Sequence, residues 1–119
     1  MRKILIATGE YFGSRLAREL GGDYDVHLCS DGDTALRLLE QLRPEGLVLQ
    51  LDLGLEVLER AAYRPPVILV ITPLVSDIVL QELQKQGVAY IFTTPCKVSS
   101  VVKTLKMLVI EPTQLEGGI

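Results

Sequence analysis

The stretch Leu47-Val48-Leu49-Gln50-Leu51-Asp52-Leu53 constrains the fold more than any other part of the chain. It is short, apolar and Leu/Val-rich, the composition of a strand covered on both faces. Strands of that kind occur in parallel sheets packed between layers of helix. A polar residue inside such a run is costly unless it has a partner or faces a site. Gln50 and Asp52 are two apart, so on one strand their side chains point to the same face. The carboxyl end of this run is therefore where chemistry is to be sought.

The rest of the chain alternates in step with it. Lys3 to Ala7 reads as a first buried strand, and Thr8-Gly9-Glu10 as the turn after it. Glu10 to Leu20 carries Tyr11, Phe12, Leu16 and Leu20 at helical spacing and stops at Gly21-Gly22. Asp25 to Cys29 is a second strand at an edge. Asp33 can cap a helix running to about Gln41. Pro44 and Gly46 precede the Leu47 strand, and Gly54 to Ala62 is a brief helix. Val67-Ile68-Leu69-Val70-Ile71 is the most strand-like run. Ser76 or Asp77 caps a helix to Gln86, closed by Gly87. Val88 to Thr93 is a fifth strand, broken by Thr94-Pro95. Val98, Val101, Val102, Leu105 and Leu108 mark one face of a last helix. From Glu111 to Ile119 the periodicity is gone, as in a linker. Residues 1–110 thus form one domain and 111–119 a tail. Five strands alternating with five helices imply an α/β fold with a parallel sheet covered on both faces.

At 119 residues the chain suits a single domain. Its 48% hydrophobic and 23% charged residues indicate a folded globule rather than disorder. With a net charge of −3 and no basic run, this segment has no footprint for nucleic acid. No apolar run reaches the roughly 18 residues a membrane span needs. Cys29 and Cys96 make no metal spacing with the single His27, so both read as reduced, buried thiols of a cytoplasmic protein.

In such a sheet ligands sit beyond the carboxyl ends of the strands, near the switch point. The loops to inspect are Thr8–Glu10, Gln50–Gly54, Thr72–Leu74 and Thr93–Cys96. Phosphoryl transfer to a carboxylate there needs acids to hold magnesium, an acceptor Asp, and donors or a cation for the product's charge. This chain supplies them poorly. The first loop offers only Glu10. Thr72 brings a hydroxyl, but Pro73 has no N–H to give. Thr93 and Thr94 stand where a cation would be useful.

Several pieces share one register: Lys3-Ile4-Leu5-Ile6, Asp31-Gly32 before Ala35-Leu36-Arg37-Leu38-Leu39, Pro44, Val70-Ile71-Thr72, Gly87-Val88-Ala89 and Thr94-Pro95. In that register residues 2 to 109 resemble a response-regulator receiver domain. The resemblance implies the CheY-like, flavodoxin-like three-layer (βα)5 sandwich with parallel strand order 2-1-3-4-5. It also places the functional positions. The acidic pair after the first strand falls at Thr8-Gly9, with Glu10 just beyond. The phosphoacceptor falls at Gln50, the hydroxyl residue at Thr72 and the lysine before a cis proline at Thr94. The switch aromatic falls at Ile91, with Tyr90 one residue out of phase. Only Thr72 matches the family's chemistry. The expectation is a degenerate pseudo-receiver that is not an enzyme and needs no cofactor. The alternative shifts the third strand by two, making Asp52 the phosphoacceptor with Mg2+ held by Glu10 and Asp52 in a two-component phosphorelay. A flavodoxin-like binding module lacks support, because Thr8-Gly9-Glu10 and Gly13-Ser14 make no phosphate-cradling glycine loop.

The resemblance further implies a pairing face on the fourth helix, fifth strand and fifth helix, used by a homodimer. Val79, Glu82, Tyr90, Lys103, Lys106 and Met107 are the exposed candidates on it. The tail is expected to lead to a covalently linked output domain beyond Ile119, DNA-binding as in a transcriptional regulator.

Overall fold

Five apolar runs pair into one parallel sheet: β1 (Lys3–Ala7), β2 (Asp25–Cys29), β3 (Gly46–Gln50), β4 (Val67–Thr72) and β5 (Tyr90–Thr93). Their spatial order is β2-β1-β3-β4-β5, as expected. The helices are α1 (Glu10–Leu20), α2 (Gly32–Leu42), α3 (Glu56–Arg60), α4 (Asp77–Lys85) and α5 (Val98–Leu108). The computed structural model describes residues 1–53 and 55–110. Gly54 and the expected tail, 111–119, lie outside the described residues.

Strand alternation divides the interior in two. Ile4, Ile6, Val48, Leu69 and Ile71 face Leu16 and Leu20 of α1 and Val101 and Leu105 of α5. Leu5, Ala7, Leu47, Leu49, Ile68 and Val70 face Ala35 and Leu39 of α2, Val57 and Leu58 of α3 and Leu83 of α4. The central strands are therefore apolar on both sides, while edge strand β2 is only partly covered. On the first face Tyr24, just before β2, donates its hydroxyl to the carbonyl of Val109 at 2.7 Å in a buried bond. That bond fixes the end of α5 against the opposite edge of the sheet.

The element boundaries correct several expectations. β3 ends at Gln50, and Leu51–Leu53 turn into a short 3-10 helix. Gln50 and Asp52 therefore do not share a strand face. The strand runs one residue past its last β1 pair, Ala7 with Leu49, with Gln50 pairing with Ile71 of β4 before the chain turns. Asp31, not Asp33, caps α2, with its carboxylate accepting from the Thr34 N–H at 2.8 Å and the Thr34 hydroxyl at 2.8 Å. Asp33 lies one position inside the helix. α3 is only five residues long, and β5 starts at Tyr90 rather than Val88. Ser76 caps α4 as one of the two residues expected there, and Gly87 follows at φ +80°, where a side chain would be strained. The Thr94–Pro95 bond is cis.

Candidate functional site

The carboxyl edge of the sheet brings together Thr8-Gly9-Glu10 after β1, Gln50 and the Leu51–Leu53 turn after β3, Thr72 at the end of β4, and Thr94 after β5. Gly9 is the N-cap of α1 and has no side chain with which to cap it. Its own N–H donates to Gln50 Oε1 across 2.8 Å. A side-chain amide thus ties the β1–α1 loop directly to the end of β3. Thr8 is buried and donates its hydroxyl to the carbonyl of Gly9 at 3.2 Å. The polar groups at the β1–β3 junction are therefore engaged with one another.

The remaining expected residues sit apart from this bond. Gln50 pairs with Ile71, one position short of Thr72. By alternation Gln50 lies on the α1/α5 face and Thr72, which is buried, on the other. Glu10, Asp52 and Thr94 are all exposed. Among the described residues no three His, Cys, Asp or Glu side chains come close enough to hold a metal ion. Magnesium binds through oxygen donors that include carboxylates. Where the resemblance puts that ion, the donors are a threonine hydroxyl, a glycine and a glutamine amide, which is a poor set for it.

Beside this junction, on the β1–β2 side, lies a cleft of about 330 Å³ lined by Gly9, Glu10, Ser14, Leu28, Cys29 and Ser30. Burial, and secondarily the Asp31 carboxylate, push the Cys29 thiol up to about 11. Burial also raises the Cys96 thiol. Neither is an activated nucleophile. The two Thr34 donors hold the Asp31 carboxyl below its usual range.

The expected pairing face needs correction residue by residue. Val79 is not exposed: it is half-buried against the core, because the Ser76 cap sets Val79 and Leu83 inward. Glu82 is half-buried and accepts from the Gln86 side chain at 3.3 Å. Lys106 is exposed as expected and pairs with Asp23, in the α1–β2 connection, at 3.2 Å. Tyr90, Lys103 and Met107 are exposed as expected. Tyr90 stands against Phe92 with ring centroids 4.6 Å apart. Leu74 and Ile78, which the sequence pattern does not single out, are exposed, and so are Tyr11 and Leu108, of which Leu108 was expected on the stripe of the last helix. With the α4 cap at Ser76, Val79 and Leu83 face inward and Ile78 is left outside.

A scan against protein-family models gives no match, and no curated protein matches the sequence. Solved structures do match in fold. The Vibrio cholerae chemotaxis protein CheY4 aligns with a TM-score of 0.74 at 20% identity, over 91% of this chain and 98% of that one. The BeF3-activated N-terminal receiver domain of Klebsiella pneumoniae RstA gives 0.74 at 19%, over 93% and 100%. A DNA-binding response regulator of the LuxR family from Staphylococcus aureus gives 0.75 at 17%, over 91% and 98%. The fold is that of CheY-like receiver domains. Among the described residues no helix is long and apolar enough to cross a membrane.

Proposed function

We propose that this chain is a receiver-type signalling module that works by protein contact without accepting a phosphoryl group. The Gly9 N–H to Gln50 Oε1 bond carries the reading. At the end of β3, where the resemblance puts the phosphoacceptor, an amide holds the β1–α1 loop. The donor set supports it further: Thr8 and Gly9 replace an acidic pair, Thr94 a lysine, and Pro73 an N–H donor. Such a site offers neither the carboxylates that magnesium favours nor a cation for an acyl phosphate.

On this reading the module is the regulatory part of a transcriptional regulator, acting in the cytoplasm. It is homodimeric through α4, β5 and α5, with Tyr90 and Met107 on that face, and an output domain follows Ile119. The LuxR-family neighbour, described as a DNA-binding response regulator, supports the link to transcription. A second reading keeps Asp52 as phosphoacceptor, because Asp52 is exposed in a turn that lies against β4.

The test is incubation with acetyl phosphate and millimolar magnesium, read by intact mass. No phosphoryl increment is expected, and thermal melts should not shift with magnesium. An increment that disappears in Asp52→Asn would overturn the proposal in favour of the second reading.

A further inference from the structure

β2 is one margin of the sheet, with β1 inside it and, among the described residues, no strand beyond it. Its five residues pair one to one with β1, from Lys3 with Asp25 to Ala7 with Cys29, so it carries no bulge. The Asp25 N–H donates inward to the Arg2 carbonyl at 2.9 Å. Successive residues of a strand turn their backbone groups to opposite sides. Asp25, His27 and Cys29 therefore bond to β1, while Val26 and Leu28 point N–H and C=O outward. Natural edge strands are guarded by lysine, proline or a bulge. Asp25-Val26-His27-Leu28-Cys29 has none of these.

The α1 face of this margin is hollow at both ends of the strand. The cleft of about 330 Å³ lies beside Leu28, with Gly13 and Ser14 on its helix side. A more open hollow of about 700 Å³ lies beside Val26, with Ala17 and Gly21 on its helix side. Val26 and Leu28 pair with Ile4 and Ile6, so both side chains belong to that face. Leu28 is 46% exposed there. An extended segment laid along this edge bonds to the outward groups of Val26 and Leu28 and sets side chains two residues apart against the hollows.

The segment that fits is β2 itself. In an antiparallel pair with its twofold at His27, Val26 of each copy faces Leu28 of the other, and each such pair exchanges both N–H···O bonds. Leu28 of the second copy then meets the wider hollow and its Val26 the narrower one. Other registers fit less well. A twofold at Val26 sets Leu28 against Tyr24, whose N–H is already given to the Leu20 carbonyl at 3.1 Å. A twofold at Leu28 sets Val26 against Ser30, outside the strand. Charge agrees with the central register. His27 Nε2 lies 3.2 Å from the Asp25 carboxylate, and Asp25 faces Cys29 of the second copy, so no carboxylate opposes another.

We infer that β2 is an isologous interface, along which two copies of this chain join their sheets edge to edge. The inference goes beyond the α4–β5–α5 pairing, because β2 and β5 are opposite margins of the sheet.

The test is disulfide trapping of the full chain, with Cys29→Ser and Cys96→Ser removing the native thiols. In the central register the two copies of residue 27 form a non-hydrogen-bonded pair with Cα atoms about 4.5 Å apart, within disulfide reach. The two copies of residue 30 are offset by six residues, roughly 20 Å. With diamide as oxidant at pH 8, His27→Cys should link into a dimer at least tenfold faster than Ser30→Cys, read by non-reducing electrophoresis and intact mass. Sedimentation of the chain carrying Tyr90→Lys and Met107→Lys, which disables the far face, should still show dimer as concentration rises to millimolar. Adding Leu28→Lys, an edge guard at an exposed position, should weaken that association at least tenfold. Circular dichroism checks that the variants fold. Ser30→Cys linking as fast as His27→Cys, a far-face variant that stays monomeric, or an unchanged association in Leu28→Lys would each overturn the inference. The mass experiment above is independent: a phosphoryl increment refutes the contact-only function and leaves the β2 pairing standing, while a monomeric far-face variant with no increment does the reverse.

Discussion

The bond between Gly9 and Gln50 predicts opposite behaviour for two substitutions at one position. Gln50→Leu keeps the bulk and removes the acceptor, leaving the Gly9 N–H to water. A net hydrogen bond contributes roughly 0.5–1.5 kcal/mol, and because Gly9 is exposed the loss falls near the lower half of that range. At about 2 cal/mol/K of unfolding entropy per residue, a chain of 119 residues loses about 4 °C per kcal/mol, so a fall of ~2–4 °C is expected. Gln50→Glu keeps an acceptor oxygen at the same reach. It also brings a negative charge to the amino end of α1, which has no side-chain cap. That charge is worth about 0.3–1 kcal/mol in stability at low salt, offset in part by repulsion from Glu10. Gln50→Glu should therefore melt within about 2 °C of the parent, converting the same terms. Amide exchange supplies the local readout: the Gly9 N–H should exchange several-fold faster in Gln50→Leu and be unchanged in Gln50→Glu. Equal loss of stability in both variants, or a Gly9 amide still protected in Gln50→Leu, would refute the assignment of the oxygen as the working atom.

Four further outcomes follow from the structure. Cys29 should be sluggish toward an aromatic disulfide at pH 8. With its pKa near 11 its thiolate population is roughly two orders below that of free cysteine, partly offset by greater nucleophilicity, so a rate at least about tenfold slower is expected, and parity with free cysteine would contradict it. The same raised pKa makes this group's contribution to stability complete below pH 9 and lost as pH climbs through about 11, which pH-dependent melts of the parent and Cys29→Ala should separate. Gly32→Ala would set a Cβ 2.9 Å from the Leu53 carbonyl, against backbone rather than a yielding side chain, so a loss of about 1–3 kcal/mol in urea unfolding is expected and an unchanged midpoint would count against the packing described. Tyr24→Phe strands the Val109 carbonyl in a buried place and should cost about 1–2 kcal/mol, with faster exchange at the end of α5; a silent variant would mean that the carbonyl finds another donor.

The sheet was legible because its strands are apolar on both faces, a pattern that only a covered parallel sheet uses. The same property misled at β3. Leu51 and Leu53 continue the apolar run, yet β3 ends at Gln50, one residue past its last β1 pair, and the chain turns into a short 3-10 helix. Pairing partners are not visible in a single run of residues. Lys106 shows a related limit, since a long side chain on a helix flank goes to whichever acid the fold brings near, here Asp23 from a distant corner. Val79 was misplaced for a local reason. Counting three residues to Glu82 gave a shared side of α4, but which side is inward depends on the cap at Ser76. The partner of Gln50 could not be read at all, because the acceptor and the Gly9 donor are 41 residues apart.

If the chemistry is absent through several replacements at once, one reversion should not restore it. Gln50→Asp puts a carboxylate at the end of β3, but one methylene shorter, and it gives up the Gly9 bond. The new carboxylate would find a threonine hydroxyl already donated to Gly9, an exposed Glu10 and no second acid at Thr8 or Gly9. Magnesium takes about six oxygen ligands in near-octahedral geometry and depends on carboxylates to compete with water. A phosphoryl group formed there would also face Thr94 instead of a cation, with its charge uncompensated. Gln50→Asp is therefore expected to show no phosphoryl increment with acetyl phosphate and magnesium. The triple variant that adds Thr8→Asp and Thr94→Lys is the one in which an increment becomes feasible. An increment in Gln50→Asp alone would show that the edge of this sheet still holds the other groups that the reaction needs, and that a single amide stands in their way.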